Sequence, residues 1–283
     1  MNRHLKTLSQ SSRRFDFRLI LDRSWQDGAT NMACDEAISR AVSARTQPPT
    51  LRLYGWAPAC ISLGLSQRMR TVDENATQRD GVGVVRRATG GLAILHTDEL
   101  TYSIALPPDH PIAEGDVMTS YRRVAKAIIA ALQLLGVTDA HADAVAKADK
   151  ATGPVCFEAP SDYEVMSAPK ERGGKKLVGS AQWRRVNGVL QHGSLPLTGD
   201  IGRVCEYLVD APTPYSVRAH AATLQDILGR AVGWDEAAQA YVRAFAATLD
   251  IGLTPARLST EEHAATTELV ATKYGHAGWN QRR

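Results

Sequence analysis

The sequence predicts an α+β fold, with a β-sheet core flanked by helices and a mainly helical carboxyl-terminal segment. Two-residue alternation of apolar side chains, typical of strands, dominates the first two thirds of the 283 residues, and helical spacing dominates the last third. This order differs from the regular strand–helix alternation of a doubly wound fold. The glycine-rich stretch 87–93 (RATGGLA) matches neither the dinucleotide pattern GxGxxG nor the phosphate-binding loop GxxxxGK[ST].

Strands and one early helix account for the first 106 residues. Apolar alternation and β-branched runs predict strands at 17–22, 50–56, 60–65, 82–87, 92–96 and 100–106, and small and apolar residues at helical spacing predict a helix at 31–42. The segments 50–56 and 60–65 resume one alternation on either side of Pro58, so they are expected to be neighbours in one sheet. Residues 88–91 (ATGG) are a predicted turn.

A long amphipathic helix opens the second half. Apolar residues recur every three or four positions over 117–135, and Gly136 is a typical C-cap. Residues 141–154 are small, charged and turn-forming, which predicts a mobile connection. Three short strands are expected at 163–166, 176–182 and 189–195. Beyond Asp200 the pattern is almost wholly helical, and its last helix, 260–274, ends at Gly275.

Composition limits the classes of protein that the chain can represent. With 33 Lys and Arg against 30 Asp and Glu, the net charge of +3 gives no reason to expect a nucleic-acid partner. The longest apolar stretch, 127–137, is too short to cross a bilayer, and the basic residues 1–16 lack the apolar core of a secretory signal. We expect a flexible tail at 1–16, a core domain at 17–200 and a helical segment at 201–283 packed on the same domain.

Four cysteines, at positions 34, 60, 156 and 205, are scattered without the spacing of a disulfide framework or a metal site. This usage predicts a cytoplasmic protein with no metal. Cys34, Cys60 and Cys205 lie in apolar periodic stretches and are expected to be small buried side chains. Cys156 lies in a loop-like segment instead, so it is the candidate nucleophile, provided that an ammonium group nearby favours its thiolate.

Three further segments carry polar groups next to glycine. The first is Arg86, Arg87, Thr89, Gly90 and Gly91, followed by His96. Its amides and guanidinium groups suit a phosphate or a carboxylate, although a tight hairpin with a solvated basic flank fits equally well.

The second segment places Lys175 and Lys176 at the mouth of a strand that continues through the small residues Gly179, Ser180 and Ala181. Small side chains leave room for a ligand, but two lysines also suit the charged tip of a hairpin. The third segment is His192, Gly193 and Ser194, whose histidine fits a binding site or an ordinary hydrogen-bonded packing position.

Taken together, these segments resemble the lipoate/biotin protein ligase superfamily, and within it the cysteine-dependent octanoyltransferases of lipoate assembly (the LipM type). The matching segments, in chain order, are 49–64 (PTLRLYGWAPACISLG), 85–96 (VRRATGGLAILH), 99–103 (ELTYS), 156–157 (CF), 160–164 (PSDYE), 176–182 (KLVGSAQ), 190–194 (LQHGS) and 273–280 (KYGHAGWN). Each motif is weak by itself, but the ordered set is specific and spans most of the chain.

The resemblance implies a mixed sheet flanked by helices and a catalytic pair, Cys156 and Lys176. In such transferases the cysteine carries the acyl group as a thioester, and the lysine contacts the acyl carbonyl. The implied substrate-binding residues are Arg86, Arg87, Thr89, Gly90, Gly91, His96, Gly179, Ser180, Ala181, His192, Gly193 and Ser194. The spacing from Cys156 to Lys176 is longer than in the family pattern, so the geometry of the pair is the point to examine.

The resemblance also implies partners. The octanoyl donor would be acyl carrier protein, and the acceptor a lysine of the glycine cleavage H protein or of the lipoyl domain of a 2-oxoacid dehydrogenase E2. Because a thioester is already activated, no cofactor is expected. Carrier proteins are acidic, so Arg86, Arg87, Arg184 and Arg185 are predicted to form a basic docking surface.

Two other functions fit the same sequence. An ATP-dependent lipoate–protein ligase would use Lys176 and an acyl adenylate without needing Cys156. The residues Thr97 and Asp98 after His96 depart from the HDxGN pattern of those ligases, which favours the transferase. A non-catalytic, carrier-binding paralogue is the other alternative, and it requires an unreactive Cys156.

Overall fold

A computed structural model of the chain describes residues 14–142, 154–156, 165–167, 174–186 and 188–282. Its strands, in chain order, are β1 (Phe15–Gln26), β2 (Thr50–Trp56), β3 (Cys60–Leu63), β4 (Gly83–Arg86), β5 (Ile94–His96), β6 (Glu99–Leu106), β7 (His141–Ala142), β8 (Val165–Ser167), β9 (Lys175–Arg185), β10 (Gly188–Pro196) and β11 (Ile251–Pro255). Its α-helices are α1 (Gly28–Ser43), α2 (Glu74–Arg79), α3 (Val117–Leu135), α4 (Pro214–His220), α5 (Leu224–Leu228), α6 (Trp234–Thr248), α7 (Thr260–Leu269) and α8 (Ala277–Asn280).

Within these described residues the strands form two sheets. The larger is mixed, with the order β11-β1-β2-β6-β10-β9-β8-β7, and the smaller has the order β4-β3-β5. The expected α+β class is confirmed. No described helix has the length and apolar character needed to cross a membrane.

Helices α3 and α6 cover one face of the larger sheet. Helix α3 begins after Asp116, whose carboxylate accepts the amide of Thr119 at 2.7 Å, and ends at Gly136 in the left-handed region at φ 108°. Its apolar positions pack against the sheet in the main core, as their spacing predicts. The aromatic rings of Tyr241 and Phe245 on α6 contact Tyr102 of β6 in the same layer.

Helices α1 and α7 lie on the opposite side, where α1 packs against β6 and β10. The last predicted helix, 260–274, is confirmed, except that its final turn, Val270–Tyr274, is a π-helix. This turn directs Lys273 Nζ and the Tyr274 hydroxyl to the same carboxylate oxygen of Glu36 on α1, both at 2.5 Å. The π-turn therefore ties the end of the chain to the first helix.

The structure corrects the predicted topology in three places. Strands β2 and β3 belong to different sheets, because β3 pairs with β4 and β5 and packs in a second apolar core. The region beyond Asp200 contains a strand, β11, which pairs in parallel with β1. That pairing includes Phe15 and Asp16, so β1 begins inside the predicted tail.

Some predicted features lie outside the described residues. They include the tail up to residue 13, positions 143–153 of the connection, positions 163 and 164 of the expected strand at 163–166, and the hairpin at 168–173. The remaining predicted strands and helices are present, with ends that differ by a few residues.

Candidate active site

Cys156 lies beside the turn that ends in Gly90 and Gly91. Its amide donates to the carbonyl of Ala93 at 3.0 Å, and the Ala93 amide donates to the carbonyl of Pro154 at 3.0 Å. These two bonds form a short parallel bridge that attaches the cysteine segment, Pro154–Cys156, just after the glycine turn. The Cys156 side chain is half-buried, in contrast to the fully buried thiols of Cys34 and Cys60.

Lys176 reaches the cysteine in spite of the long intervening hairpin. Its Nζ lies 3.5 Å from the Sγ of Cys156 and donates to the Cys156 carbonyl at 2.8 Å, while its side chain is only 2% exposed. The neighbouring Lys175 points away and donates to the carbonyl of Arg218 at 2.8 Å. The structure thus brings together the predicted catalytic pair.

A register shift in β9 gives Lys176 this orientation. The pairing of β8 with β9 is irregular between Val165 and Met166, and Leu177 and Val178 both enter the main core. A bulge places two consecutive side chains on one face, so Lys176 lies on the same side as Gly179 and Ala181. Simple alternation would have put the lysine on the opposite face from them.

Arg87 holds the glycine turn. Its guanidinium donates to the carbonyls of Gly90 and Leu92, both at 2.8 Å from Nη2, and to the carbonyl and hydroxyl of Ser62 from Nη1. Gly91 is in the left-handed region at φ 93°, which suits glycine. The β-carbon position of Gly90 faces open space, so a ligand can approach its backbone.

His192 joins the turn to a buried carboxylate. Its Nε2 lies 2.7 Å from the Thr89 hydroxyl, and its Nδ1 lies 3.5 Å from the carboxylate of Asp35 on α1. Burial lowers the pKa of His192, although Asp35 acts to raise it. The neutral ring therefore keeps its proton on Nδ1, facing the carboxylate, and Nε2 accepts the Thr89 hydroxyl.

Asp35 is the centre of this buried network. It accepts Nη1 of Arg52 at 2.9 Å, the Tyr54 hydroxyl at 2.8 Å and the Ser103 hydroxyl at 2.8 Å. Burial acts to raise the pKa of Asp35, but the hydrogen bond from His192 and the charge of Arg52 outweigh it, so the pKa is lowered. Asp35 is therefore ionised at neutral pH and fixes the position of His192.

His96 belongs to a second network in the same region. Its Nδ1 lies 2.8 Å from Glu99, its Nε2 lies 2.7 Å from the Ser62 hydroxyl, and its ring stacks on Trp56 at 3.9 Å. Ser194 also hydrogen-bonds Glu99. Because the Ser62 hydroxyl also accepts from Arg87, this network is connected to the residue that holds the glycine turn.

Two of the predicted binding residues lie on the other face of the sheet. Ser180 and Gly193 pair with each other, and the Ser180 hydroxyl lies 2.8 Å from the hydroxyl of Tyr102, which packs against α6. A β-carbon on Gly193 would collide with Ser180 and Tyr102. Their short side chains therefore serve close packing beneath the helices, away from the face that carries His192.

Arg86 does not form a solvated basic flank, and the predicted docking surface is wrong at three of its four arginines. Arg86 and Arg87 are almost fully buried. Arg184 uses its guanidinium to bond the carbonyls of Ala113 and Gly115. Only Arg185 is exposed, and its guanidinium lies over the ring of Trp183 at 4.1 Å.

The thiols of Cys34 and Cys60 have different surroundings from that of Cys156. Burial raises the pKa of the Cys34 and Cys60 thiols, which suppresses their thiolates. Cys205 is half-buried against the second apolar core, so the prediction of full burial is wrong for this residue.

Sequence reasoning missed Asp35 and Gln67. Asp35 lies among apolar positions of a helix, so its carboxylate is on the buried face. Because a buried carboxylate needs partners, this position could have been recognised as part of a polar network. Gln67 follows β3 in a loop, and nothing in its local pattern indicates that its side chain donates to the Pro154 carbonyl at 2.9 Å.

One protein family matches most of this chain, and its fold and site agree with what the structure shows. Residues 27–246 match the family model of the lipoyl protein ligase A/B catalytic domain. The chain belongs to this family.

Curated relatives show which enzymes of this family the chain resembles in sequence. The chain is 39% identical over 272 residues to octanoyltransferase LipM of Moorella thermoacetica, covering 93% of this chain and 97% of the relative. It is 38% identical over 275 residues to octanoyltransferase LipM of Symbiobacterium thermophilum, covering 93% of this chain and 98% of the relative.

Solved structures share the fold. A bipartite lipoate protein ligase of Thermoplasma acidophilum superimposes with a TM-score of 0.77 at 24% identity, covering 95% of this chain and 98% of that one. A lipoate-protein ligase A bound with ATP gives a TM-score of 0.78 at 25% identity, covering 94% and 98%.

Proposed function

We propose that this acyltransferase moves an octanoyl group from acyl carrier protein to a lysine of a lipoyl-accepting protein, through a thioester on Cys156. The observation that carries the proposal is the 3.5 Å distance between Lys176 Nζ and the Sγ of Cys156. The sequence similarity to octanoyltransferases supports the acyl group, and the match to the lipoyl protein ligase A/B catalytic domain supports a lipoyl-accepting protein as the acceptor.

In the first step the Cys156 thiolate attacks the carbonyl carbon of the octanoyl thioester. The bond from that carbon to the carrier's sulfur breaks, the carrier leaves as a thiolate that takes up a proton, and octanoyl-Cys156 remains. The negative oxygen of the tetrahedral intermediate needs donors, which Lys176 Nζ and backbone amides of the glycine turn would supply.

In the second step the neutral amine of the acceptor lysine attacks the same carbonyl carbon. An amide bond forms, the bond to Sγ breaks, and the sulfur leaves as a thiolate that is ready for another cycle. The amine loses one proton to solvent, which balances the proton that the carrier thiolate takes up in the first step. The energy of the thioester drives both steps, so we propose no ATP and no other cofactor. We expect the acceptor to be the glycine cleavage H protein or an E2 lipoyl domain, in the cytoplasm.

The nucleophile is activated by electrostatics. The Lys176 ammonium group lies 3.5 Å from Sγ in a side chain shielded from water, so it can stabilise negative charge that develops on the sulfur. Attraction between Arg87 and Cys156 adds to the effect.

Steering of an acidic carrier requires exposed cations near the cysteine segment. Arg68 and Arg70 are exposed and lie within the three residues after Gln67, which hydrogen-bonds Pro154. They replace Arg86, Arg87 and Arg184 as the docking candidates. Replacing both with Gln should slow transfer from octanoyl carrier protein several-fold at low salt and little at high salt, with transfer from a small neutral thioester unchanged.

Intact-protein mass spectrometry after mixing with octanoyl carrier protein, in the absence of ATP, tests the proposal. Wild type should gain one octanoyl group, and peptide mapping should place it on Cys156. Cys156→Ala should gain none and should not transfer, whereas the matched variant of the other half-buried thiol, Cys205→Ala, should behave as wild type. Full transfer by Cys156→Ala with ATP present would establish the ligase alternative. A wild type that gains no octanoyl group and transfers nothing would indicate the carrier-binding paralogue.

A further inference from the structure

The carboxyl-terminal residues Trp279 and Asn280, which we call the hook, clamp Arg86 at the end of β4. Trp279 Nε1 donates to the Arg86 carbonyl at 2.8 Å, and the Asn280 side-chain oxygen accepts the Arg86 amide at 2.8 Å. The Arg86 Nη2 also donates to the Asn280 carbonyl at 2.8 Å. The hook is anchored in turn, because Asn280 Nδ2 donates to the Tyr274 carbonyl at 2.7 Å.

Arg86 transmits this anchoring to a loop, Gly64–Gln67, which we call the bridging loop. Its Nη1 donates to the carbonyls of Gly64 at 2.9 Å and Gln67 at 2.5 Å. On its other side the loop touches the glycine turn, since the Leu65 amide donates to the Thr89 carbonyl at 2.8 Å. A β-carbon on Gly64 would lie 1.9 Å from the Gly91 carbonyl oxygen, so the two backbones are in close contact.

Gln67 extends from the bridging loop to the cysteine segment. Its Nε2 donates to the Pro154 carbonyl at 2.9 Å, the same oxygen that receives the Ala93 amide. The side chain is 9% exposed, and its Oε1 has no hydrogen-bond partner among the described residues. An apolar side chain of similar length would fill this space without burying an unsatisfied oxygen, so packing alone does not explain the amide.

We propose that Gln67 is a positioning residue that sets the location of Cys156 relative to Lys176, and that the hook sets Gln67 through Arg86. The path runs from Asn280 to Arg86, then to Gln67, then to Pro154, two residues before the nucleophile. A displacement of about 1 Å at a reacting group can cost about 100-fold in rate, so a single hydrogen bond to the cysteine segment can affect turnover.

The test uses three variants and two readouts. Gln67→Met keeps the length of the side chain and removes the donor, Asn280→Ala removes the side-chain contact to Arg86, and the double variant combines them. The first readout is the rate of Cys156 alkylation by iodoacetamide across pH, which does not depend on the proposed function. The second is kcat and KM for octanoyl transfer, which rests on it.

Gln67→Met should lower kcat about 10-fold, leave KM for the carrier within about two-fold, and move the alkylation profile to higher pH. Asn280→Ala should lower kcat about three-fold and move the alkylation profile in the same direction. The double variant should match Gln67→Met alone, because both changes interrupt one path. Asn280→Asp keeps both oxygens that contact Arg86 but loses the donor to the Tyr274 carbonyl, so its values should lie between those of wild type and Asn280→Ala.

Gln26→Met is the matched control, because Gln26 is half-buried and also donates from Nε2 to a carbonyl, that of Ser24 at 2.7 Å. It should change neither readout. A wild-type alkylation profile in Gln67→Met would overturn the positioning role of Gln67. This result tests the role even where Asn280→Ala fails to fold. Effects that multiply in the double variant would overturn the connection to the hook. If wild type itself transfers no octanoyl group, the proposed function fails while the alkylation profiles still decide this inference.

Discussion

Two fully buried arginines, Arg52 and Arg87, have opposite electrostatic surroundings. Arg52 is 1% exposed and bonds two carboxylates, Asp35 at 2.9 Å and Asp22 at 3.0 Å. Burial acts to lower the pKa of Arg52, but these acids outweigh it and the pKa is raised. Arg87 is 3% exposed, and its hydrogen-bond partners among the described residues are two glycine-turn carbonyls and Ser62. Burial lowers the pKa of Arg87 to about 10, although attraction to Cys156 opposes this.

This difference separates charges that stabilise the fold from charges that serve the candidate site. A buried cation beside carboxylates is neutralised and exerts little field on other groups. A buried cation that bonds only neutral groups leaves its positive potential available to an anion nearby. A thiolate at Cys156 would be such an anion, so we expect losses of stability at Arg52 and losses of reactivity at Arg87 and Lys176.

Arg52→Met should have the largest effect on stability. It leaves Asp35 buried without its main cation, and breaking a buried ion pair on one side costs about 3–5 kcal/mol. Urea unfolding should show this loss in the free energy of unfolding at pH 7. Arg52→Met combined with Asp35→Asn should recover part of it, since the buried charge of Asp35 is then removed while its side-chain oxygen can still accept the Tyr54 or Ser103 hydroxyl. A double variant no more stable than Arg52→Met would contradict the electrostatic explanation.

The same variant should depend on pH in a defined direction. The lowered pKa of Asp35 means that this residue contributes stability above its unfolded pKa of about 3.9, and that the contribution is lost as pH falls through its folded pKa. In Arg52→Met, burial without the arginine favours the protonated acid. The difference in free energy of unfolding between wild type and Arg52→Met should therefore be larger at pH 7 than at pH 4.5, as measured by urea unfolding at both pH values.

The sequence was sufficient to predict the fold class, and it predicted two side chains, Cys156 and Lys176, that the structure places 3.5 Å apart. Periodicity determines α3 because its apolar residues face one core, and the pair follows from a resemblance carried by ordered motifs. The prediction that Arg86 is solvated was wrong, because backbone carbonyls surround its guanidinium. A pair of arginines before two glycines has the same local sequence pattern in either environment. The orientation of Ser180 depends on a bulge that alternation alone does not reveal.

Lys176→Met should have the next largest effect, on reactivity rather than stability. It keeps most of the apolar stem and removes the ammonium group 3.5 Å from Sγ. Alkylation of Cys156 by iodoacetamide at pH 7 should slow about 10- to 100-fold, equivalent to about 1.4–2.7 kcal/mol. Lys175→Met is the control, because Lys175 bonds the Arg218 carbonyl. Slower alkylation in Lys175→Met with wild-type rates in Lys176→Met would show that the catalytic lysine is Lys175.

Arg87→Met should have the smallest effect, because its guanidinium acts on Cys156 less directly than Lys176 does. We expect alkylation at pH 7 to slow about three- to five-fold, equivalent to about 0.6–1 kcal/mol. The free energy of unfolding should change less than in Arg52→Met, because removing the cost of a buried, unneutralised cation offsets the lost bonds to carbonyls. Arg87→Lys distinguishes the two contributions, since it keeps a charge but cannot reach Gly90, Leu92 and Ser62 together. Wild-type alkylation in Arg87→Lys would assign the effect to charge, whereas a rate equal to that of Arg87→Met would assign it to the shape of the glycine turn.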